Sequence, residues 1–291
     1  MKPVIQGLEA LHGVPKTLCI PLLARARSRN LTPHLEDFDD PIAREWGSQI
    51  GIDPTWIEGD RMILESCIAR ARVLDRETRT FLEEDPDAPI TIVSVGAGLC
   101  TRMDRLHLTD RIQSGKSNLI WVDLDLPEVI ALRKRLQPAA GTHVYISKSL
   151  ADPAWFDELP SLNGHRILVL IEGVFVYLSP QVIRAFLYDT VKFFEKSGAI
   201  QFRFAFDLLD GPALSASGAS SSIRKTGARL HWAPWSLAAF IQSTGTNLTV
   251  RRRTDLIRDL RGVLPLLHWV YQKFRGNPVY SIAVIEAGPG R

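Results

Sequence analysis

From Ile90 onward the chain alternates short apolar runs with amphipathic stretches, and that rhythm constrains the fold more than any other feature. "ITIVSV", "NLIWVDL", "HVYI", "RILVLIEG" and "AIQFRFAF" read as strands, with helices expected near residues 100–113, 127–137, 151–159 and 179–196. Runs that are apolar throughout, rather than at every second residue, belong to strands buried on both faces, as in a parallel sheet covered by helices. Further on, "WSLAAFIQSTG" reads as a helix ending at Gly245, and "NLTVRRRT" and "PVYSIAVIEA" read as two more strands. The expected class is α/β.

Upstream of that alternation the pattern is helical. Apolar residues recur at helical spacing in "PKTLCIPLLARARS" and in "WIEGDRMILESCIARARVLDRETRTFLEE", and Asp39-Asp40-Pro41 supplies a helix start, a capping carboxylate followed by a proline. The expected organisation is a helical extension or cap over residues 1–88, packed on a core of residues 89–291. Between Phe206 and Trp232 the segment "DLLDGPALSASGASSSIRKTGARLH" is rich in Gly, Ser and Ala. Residues 207–232 therefore suit a lid or substrate segment, and equally a plain surface excursion.

Composition removes several function classes. With 35 basic and 32 acidic residues among 291, the net charge of +3 is too balanced to argue for a nucleic-acid partner. Cys19, Cys67 and Cys100 lie far apart without C-x-x-C spacing, so neither a disulfide framework nor a zinc site is suggested, and a reducing cytoplasm is the expected compartment. The seven histidines show no H-E-x-x-H or other metal spacing. "ILVLIEGVFVYL", the most apolar run after the N-terminus, is too short to span a bilayer and contains Glu172, so no membrane partner is expected.

The most informative local feature is the Gly-Ala-Gly turn in "TIVSVGAGLCTRMDRL". A strand that runs into Gly96-Ala97-Gly98 and then a helix lets backbone approach a ligand closely. The third glycine of the dinucleotide fingerprint is missing, its place taken by Thr101, which leaves a nucleoside ligand or a purely structural turn. In open α/β sheets ligands lie at the carboxyl ends of the strands, where an acid can accept from ribose hydroxyls. "LIWVDLDLPEV" offers Asp123 and Asp125; Asp125, at the strand end, is the better placed, and it also suits capping the helix that begins near Pro127. Glu172, closing "VLIEG", is a carboxylate that needs a ligand or a partner in so apolar a run.

Taken together, "VSVGAGLCTRMDRL", "VDLDLPEVIALRKRL" and "IEGVFVYLSPQVI", preceded by "PKTLCIPLLARARS", "DDPIA" and "ARARVLD", resemble the leucine carboxyl methyltransferase family, including its bacterial branch of tetracenomycin-type polyketide O-methyltransferases. The resemblance covers roughly residues 14–195. It implies a class I, Rossmann-like methyltransferase fold, a mostly parallel seven-stranded sheet with helices on both faces and an antiparallel last strand, and S-adenosyl-L-methionine as cofactor. Carried over by position, Arg70 would pair with the methionine carboxylate, with Arg72 as the open alternative. Gly96, Ala97 and Gly98 would line the methionine part, Asp125 with Leu126 would hold the ribose, and Glu172 would face the amino group or the ribose. Two positions depart from the family. Cys100 replaces an Asp, and Ser149-Leu150 replaces an Asp-Leu pair at the adenine.

Methyl transfer needs a nucleophilic oxygen placed in line; a carboxylate is already ionised at neutral pH, whereas a phenol or alcohol needs a base. No histidine sits at a recognised catalytic position, so a small-molecule carboxylic acid is the expected acceptor and no catalytic residue is named. Candidates for holding it are Arg25, Tyr177, Arg224 with Lys225 and Arg229, and His231 beside Trp232 and Trp235. Tyr177 and His231 have packing roles as alternatives, and Arg251 to Arg253 suits a solvated sheet edge. Ether formation on a phenol or alcohol, a nicotinamide-dependent oxidoreductase and a non-catalytic cofactor-binding protein stay open as alternatives.

Overall fold

Ile90–Val95 (β1) is buried at every position, and so is Arg166–Ile171 (β4), its parallel neighbour. The computed structural model describes residues 17–52, 60–115, 117–211, 214, 229–260 and 264–287. The other strands are Leu119–Asp125 (β2), His143–Ser147 (β3), Gln201–Leu209 (β5), Leu248–Asp255 (β6) and Tyr280–Ala287 (β7). They form one sheet in the order β3-β2-β1-β4-β5-β7-β6, parallel except that β7 runs against both of its neighbours. All seven apolar runs read as strands are strands.

Alternate residues of each strand feed opposite faces. On one face Val93, Val122 and Val169 pack against Ile183, Phe186, Leu187 and Phe194 of Pro180–Lys196 (α8), whose N-terminal amide at Val182 donates to Ser179. On the other, Ile92, Trp121 and Leu168 pack against Val73, Leu74 and Phe81 of Arg61–Glu84 (α4). Cys19–Ala26 (α1), Ser28–Leu31 (α2) and Pro41–Ile50 (α3) complete the helices before the sheet. The expected start of α3 is present: Asp40 caps the Ala43 amide and Pro41 occupies the first turn.

Two helix expectations need correction. Residues 100–113 form two short helices, Arg102–Arg105 (α5) and Thr109–Gln113 (α6), because the chain reverses at His107, which takes the left-handed φ of 56° while Leu106 and Leu108 turn into the core. The stretch expected as a helix at 151–159 is a 3-10 turn, Pro153–Glu158, capped by Asp152. Three further helices are Pro127–Leu136 (α7), Leu237–Gln242 (α9) and Leu264–Arg275 (α10). No helix among the described residues is long and apolar enough to cross a membrane.

β6 is an edge strand, as the arginine run suggested, but its arginines are paired rather than merely solvated. Arg251 meets Glu286 and Glu84, Arg252 meets Glu77, and a register shift between Val250 and Arg252 breaks the edge ladder.

Candidate active site

The ends of β1, β2, β4 and β5 meet at one cavity. At the close of β1 the Gly96 and Ala97 amides both donate to the Leu124 carbonyl, folding the turn back over β2. Gly96 has φ +62°, and a methyl group there would overlap the Val174 side chain, so the turn requires glycine on both conformational and steric grounds. The Gly98 amide donates to Asp125 Oδ2 and the Leu126 amide to Asp125 Oδ1, each at 2.7 Å. Burial pushes the Asp125 carboxyl up to about 6, although the two amides and the Arg133 charge oppose the rise. Each carboxylate oxygen keeps a lone pair for a further donor. Asp123, the alternative ribose acid, is committed elsewhere, to Arg133, His143 and Trp121.

Arg70 reaches across from α4 to the ends of β4 and β5. Its Nε donates to Glu172 Oε1 at 3.1 Å, and its Nη1 to Asp207 Oδ2 at 3.2 Å and Tyr280 Oη at 3.1 Å. Gly173, at φ +68°, lets the backbone pass close to this guanidinium: a methyl group there would lie 3.0 Å from Arg70 Nη1. The Gly173 amide donates to Asp207 Oδ1 at 2.5 Å. Glu172 also accepts from Arg102 Nη2 at 2.7 Å. From there a line of buried ion pairs continues through Asp75, Arg105 and Asp40 to Arg25, which donates to the Leu99 carbonyl at 2.6 Å. Burial alone would raise Glu172, but Arg70 and Arg102 hold its carboxyl far below the usual range.

The cavity enclosed by these groups has a volume of about 460 Å³, within the range of small-molecule sites. Its lining combines polar groups, from the glycine turn, Asp125, Ser149 and Glu172, with an apolar set that includes Ile20, Met62, Ile63, Val176, Leu230 and Trp232. Arg70, Gly96, Ala97, Gly98, Asp125, Leu126, Ser149, Leu150, Glu172, Arg25 and Tyr177 all line it, so nearly every residue singled out from the sequence converges on one space. Ser149 Oγ accepts from the Ala151 amide at 3.2 Å, and Cys100 also borders the cavity.

Four expectations change. His231 is exposed and absent from the cavity wall; what ties it to the site is its backbone amide, which donates to the Val176 carbonyl. Arg25 borders the cavity, but its guanidinium is committed to Asp40 and the Leu99 carbonyl and is not free for a substrate. Arg72 is taken by Asp37 and Asp259 and lies off the cavity, which leaves Arg70 as the arginine in place. Asp207 is not part of a lid: it lies within β5 and is buried. Arg224 and Lys225 lie outside the described residues, as does most of the expected lid, and Arg229 is exposed away from the cavity.

Sequence reading missed Asp207, Arg102, Tyr280 and Arg133. Asp207 obeys the strand-end rule that found Asp125 and Glu172, so the signal was there in "FRFAFD".

With the geometry in view, comparison with known proteins is decisive. The model of the leucine carboxyl methyltransferase family matches residues 19–191. The chain belongs to that family. The tetracenomycin polyketide synthesis O-methyltransferase TcmP of Streptomyces glaucescens is 30% identical over 223 residues, 76% of each chain. An S-adenosyl-L-methionine-dependent methyltransferase of Gibberella zeae, dpfgK, is 30% identical over 202 residues, 66% of this chain and 65% of its own. A solved structure, a putative methyltransferase from Thermobifida fusca, shares the fold with a TM-score of 0.52 at 16% identity, over 91% of this chain and 94% of that one. This family member is an S-adenosyl-L-methionine-dependent methyltransferase, which sets aside the oxidoreductase and non-catalytic readings. Its residues fit the cofactor: a glycine cradle for the backbone side, carboxylate lone pairs at Asp125 for two hydroxyls, and an arginine and a glutamate side by side for a zwitterionic amino acid.

Proposed function

We propose that this enzyme forms a methyl ester on a small-molecule carboxylic acid with an apolar, ring-bearing body of the polyketide kind. The observation that carries the reading is the chemistry of the cavity wall. Among the described residues no histidine lines it; of its carboxylates, Glu172 and Asp207 are held by arginines, and Asp125, which accepts from two backbone amides, is assigned here to the ribose. Tyr177 is a phenol in the wall whose pKa burial raises, so it is protonated and not a base at neutral pH. An acceptor that must lose a proton finds no group to take it. One that arrives ionised needs none.

In this reading Arg70 binds the methionine carboxylate, Glu172 faces the amino group, Asp125 and Leu126 hold the ribose, and Ser149 and Leu150 meet the adenine. When bound, S-adenosyl-L-methionine supplies the methyl group and the positive sulfonium charge that a desolvated carboxylate requires. The protein's other cations at the cavity do not compete for the acid, because Arg25, Arg102 and Lys148 each have a carboxylate partner, and Arg70 is given over to the cofactor. Ile20, Met62, Val176 and Trp232 give the wall an apolar surface for the acceptor's ring-bearing body. Reaction of an anion with a cation disperses charge on the way to the transition state, so a dry chamber favours it over a wet one. Tyr177 orients the acid through its hydroxyl, and the helices before β1 act as the cap over it.

The pH dependence of turnover at saturating cofactor tests the reading. Flat turnover between about pH 6 and 8 fits an acceptor with a carboxylic pKa near 4. A rate that climbs about tenfold per pH unit over that range would mean base-assisted transfer to a hydroxyl instead.

A further inference from the structure

Arg133 sits on α7 between Leu132 and two exposed basic residues, yet it is only 2% exposed. Its Nη1 donates to two carbonyls of the glycine turn, Gly98 at 2.9 Å and Cys100 at 3.0 Å, while its Nη2 donates to Asp123 Oδ2 at 2.6 Å. The carbonyl between them, Leu99, is taken from the other flank by Arg25. Three consecutive carbonyls of the turn are thus drawn outward onto guanidinium groups. Asp123, itself held by Trp121 Nε1 at 3.0 Å and His143 Nε2 at 2.8 Å, fixes the guanidinium against β2.

We propose that Arg133 is a positioning residue for the cofactor: its fork on the Gly98 and Cys100 carbonyls holds the glycine turn in its binding shape before the cofactor arrives. Fixing those carbonyls fixes the Gly98–Leu99 and Cys100–Thr101 peptide planes, with Arg25 on the plane between them, and with these the line of the turn beside Asp125. Bracing the sheet would need the Asp123 pair alone; the second contact set falls on the turn. A turn held in advance spares binding the entropy of ordering it. Lysine keeps the charge but replaces a planar fork with a single nitrogen.

Arg133→Lys is compared with wild type by calorimetry with S-adenosylhomocysteine and by amide hydrogen exchange of the ligand-free protein. The expected result is an affinity lower by about tenfold, roughly one charge-assisted hydrogen bond, with faster exchange of the amides at residues 98–102 and an unchanged acceptor KM. Arg166→Lys is the control. Arg166 is as buried and also holds two carbonyls, Phe81 and Asp85, but at the opposite end of the sheet, so its replacement leaves cofactor affinity unchanged. Should Arg133→Lys not fold, Asp123→Asn keeps the guanidinium and loosens its anchor, and the same two readouts apply. Affinity within twofold of wild type in a folded variant, unchanged exchange across the turn, or an equal loss in Arg166→Lys would overturn the proposal. A wild-type protein that failed to bind at all would count against the cofactor assignment, while the exchange arm would still read the clamp.

Discussion

The charged and the apolar linings of the cavity are built on opposite principles. Behind the charged lining, proposed above to meet the methionine part of the cofactor, Asp207, Arg70, Glu172, Arg102, Asp75, Arg105, Asp40 and Arg25 alternate in sign along one continuous line of ion pairs, nearly all of it out of contact with water. The apolar lining is aliphatic and aromatic, with Trp232 wedged against Phe175 and Phe206 at centroid distances of 5.8 and 6.4 Å. On the proposed reading, charge and zwitterion recognition serve the ligand that is always the same molecule. The lining proposed to meet the acceptor relies on shape, and so can change without disturbing the donor.

If that division is real, damage to the charged lining should be severe and should reach the whole fold. Arg102 is 1% exposed and bridges Asp75 and Glu172. Arg102→Met leaves two buried carboxylates short of a partner, and breaking a buried pair in this way costs about 3–5 kcal/mol. For a chain of this size the thermal midpoint falls by roughly 10 °C; scanning fluorimetry reads it, and a fall below about 2 °C would mean that the line of pairs contributes little.

The next effect is confined to the cofactor. Asp125→Asn places an amide nitrogen against one of the two backbone amides that now donate to the carboxylate, and S-adenosylhomocysteine affinity near pH 7.5 drops by about 10- to 100-fold, equivalent to 1.5–3 kcal/mol. The pH dependence goes with it. In the ligand-free protein Asp125 titrates near 6 rather than its ordinary 3.8, so between those values the folded protein holds a proton that the unfolded chain has lost. Asp125 therefore contributes less to stability as pH rises through that window. On the proposed assignment ribose hydroxyls donate to the ionised form, so affinity in the wild type is expected to fall with acidification below about pH 6, by up to tenfold per unit, and to be level above it. The slope vanishes in Asp125→Asn.

The smallest effect belongs to the apolar lining. Met62 lines the cavity but is 49% exposed, so Met62→Ala removes wall surface at little cost to folding. Acceptor KM rises by about three- to tenfold, in keeping with one to two buried methylene groups, while calorimetry with S-adenosylhomocysteine is unchanged. A shift in cofactor affinity of similar size would dissolve the distinction between the two linings.

These two linings were not equally legible in the sequence. The strands were, because an unbroken apolar run such as "RILVLI" has few alternatives to a doubly covered strand, and Asp125 and Glu172 followed from standing at strand ends. Asp207 obeys the same rule but was assigned to the loose segment after Phe206, since its burial depends on β7 and Tyr280, supplied 73 residues later. Arg133 lies in "ALRKRL", three basic residues in a row, and only the tertiary fold singles out the first of its two arginines for burial. Arg25 shows the reverse error. A basic residue near the site was read as a substrate ligand, whereas its partner Asp40, itself read only as a helix cap, is shared with Arg105 and Thr101. Pairings between distant elements leave no periodic trace, so the charged line was invisible while the elements carrying it were not.

The acceptor's ionisation state remains the claim on which the chemistry depends, and a matched pair of ring-bearing compounds differing only in a carboxyl or a phenolic hydroxyl tests it most directly. With both present at pH 7 and labelled S-adenosyl-L-methionine in excess, mass spectrometry of the products should find the methyl group as an alkali-labile ester on the acid, with the phenol untouched. A base-stable aryl ether as the main product would contradict the account and require a proton acceptor at the cavity, for which Asp125, titrating near 6, would be the first candidate.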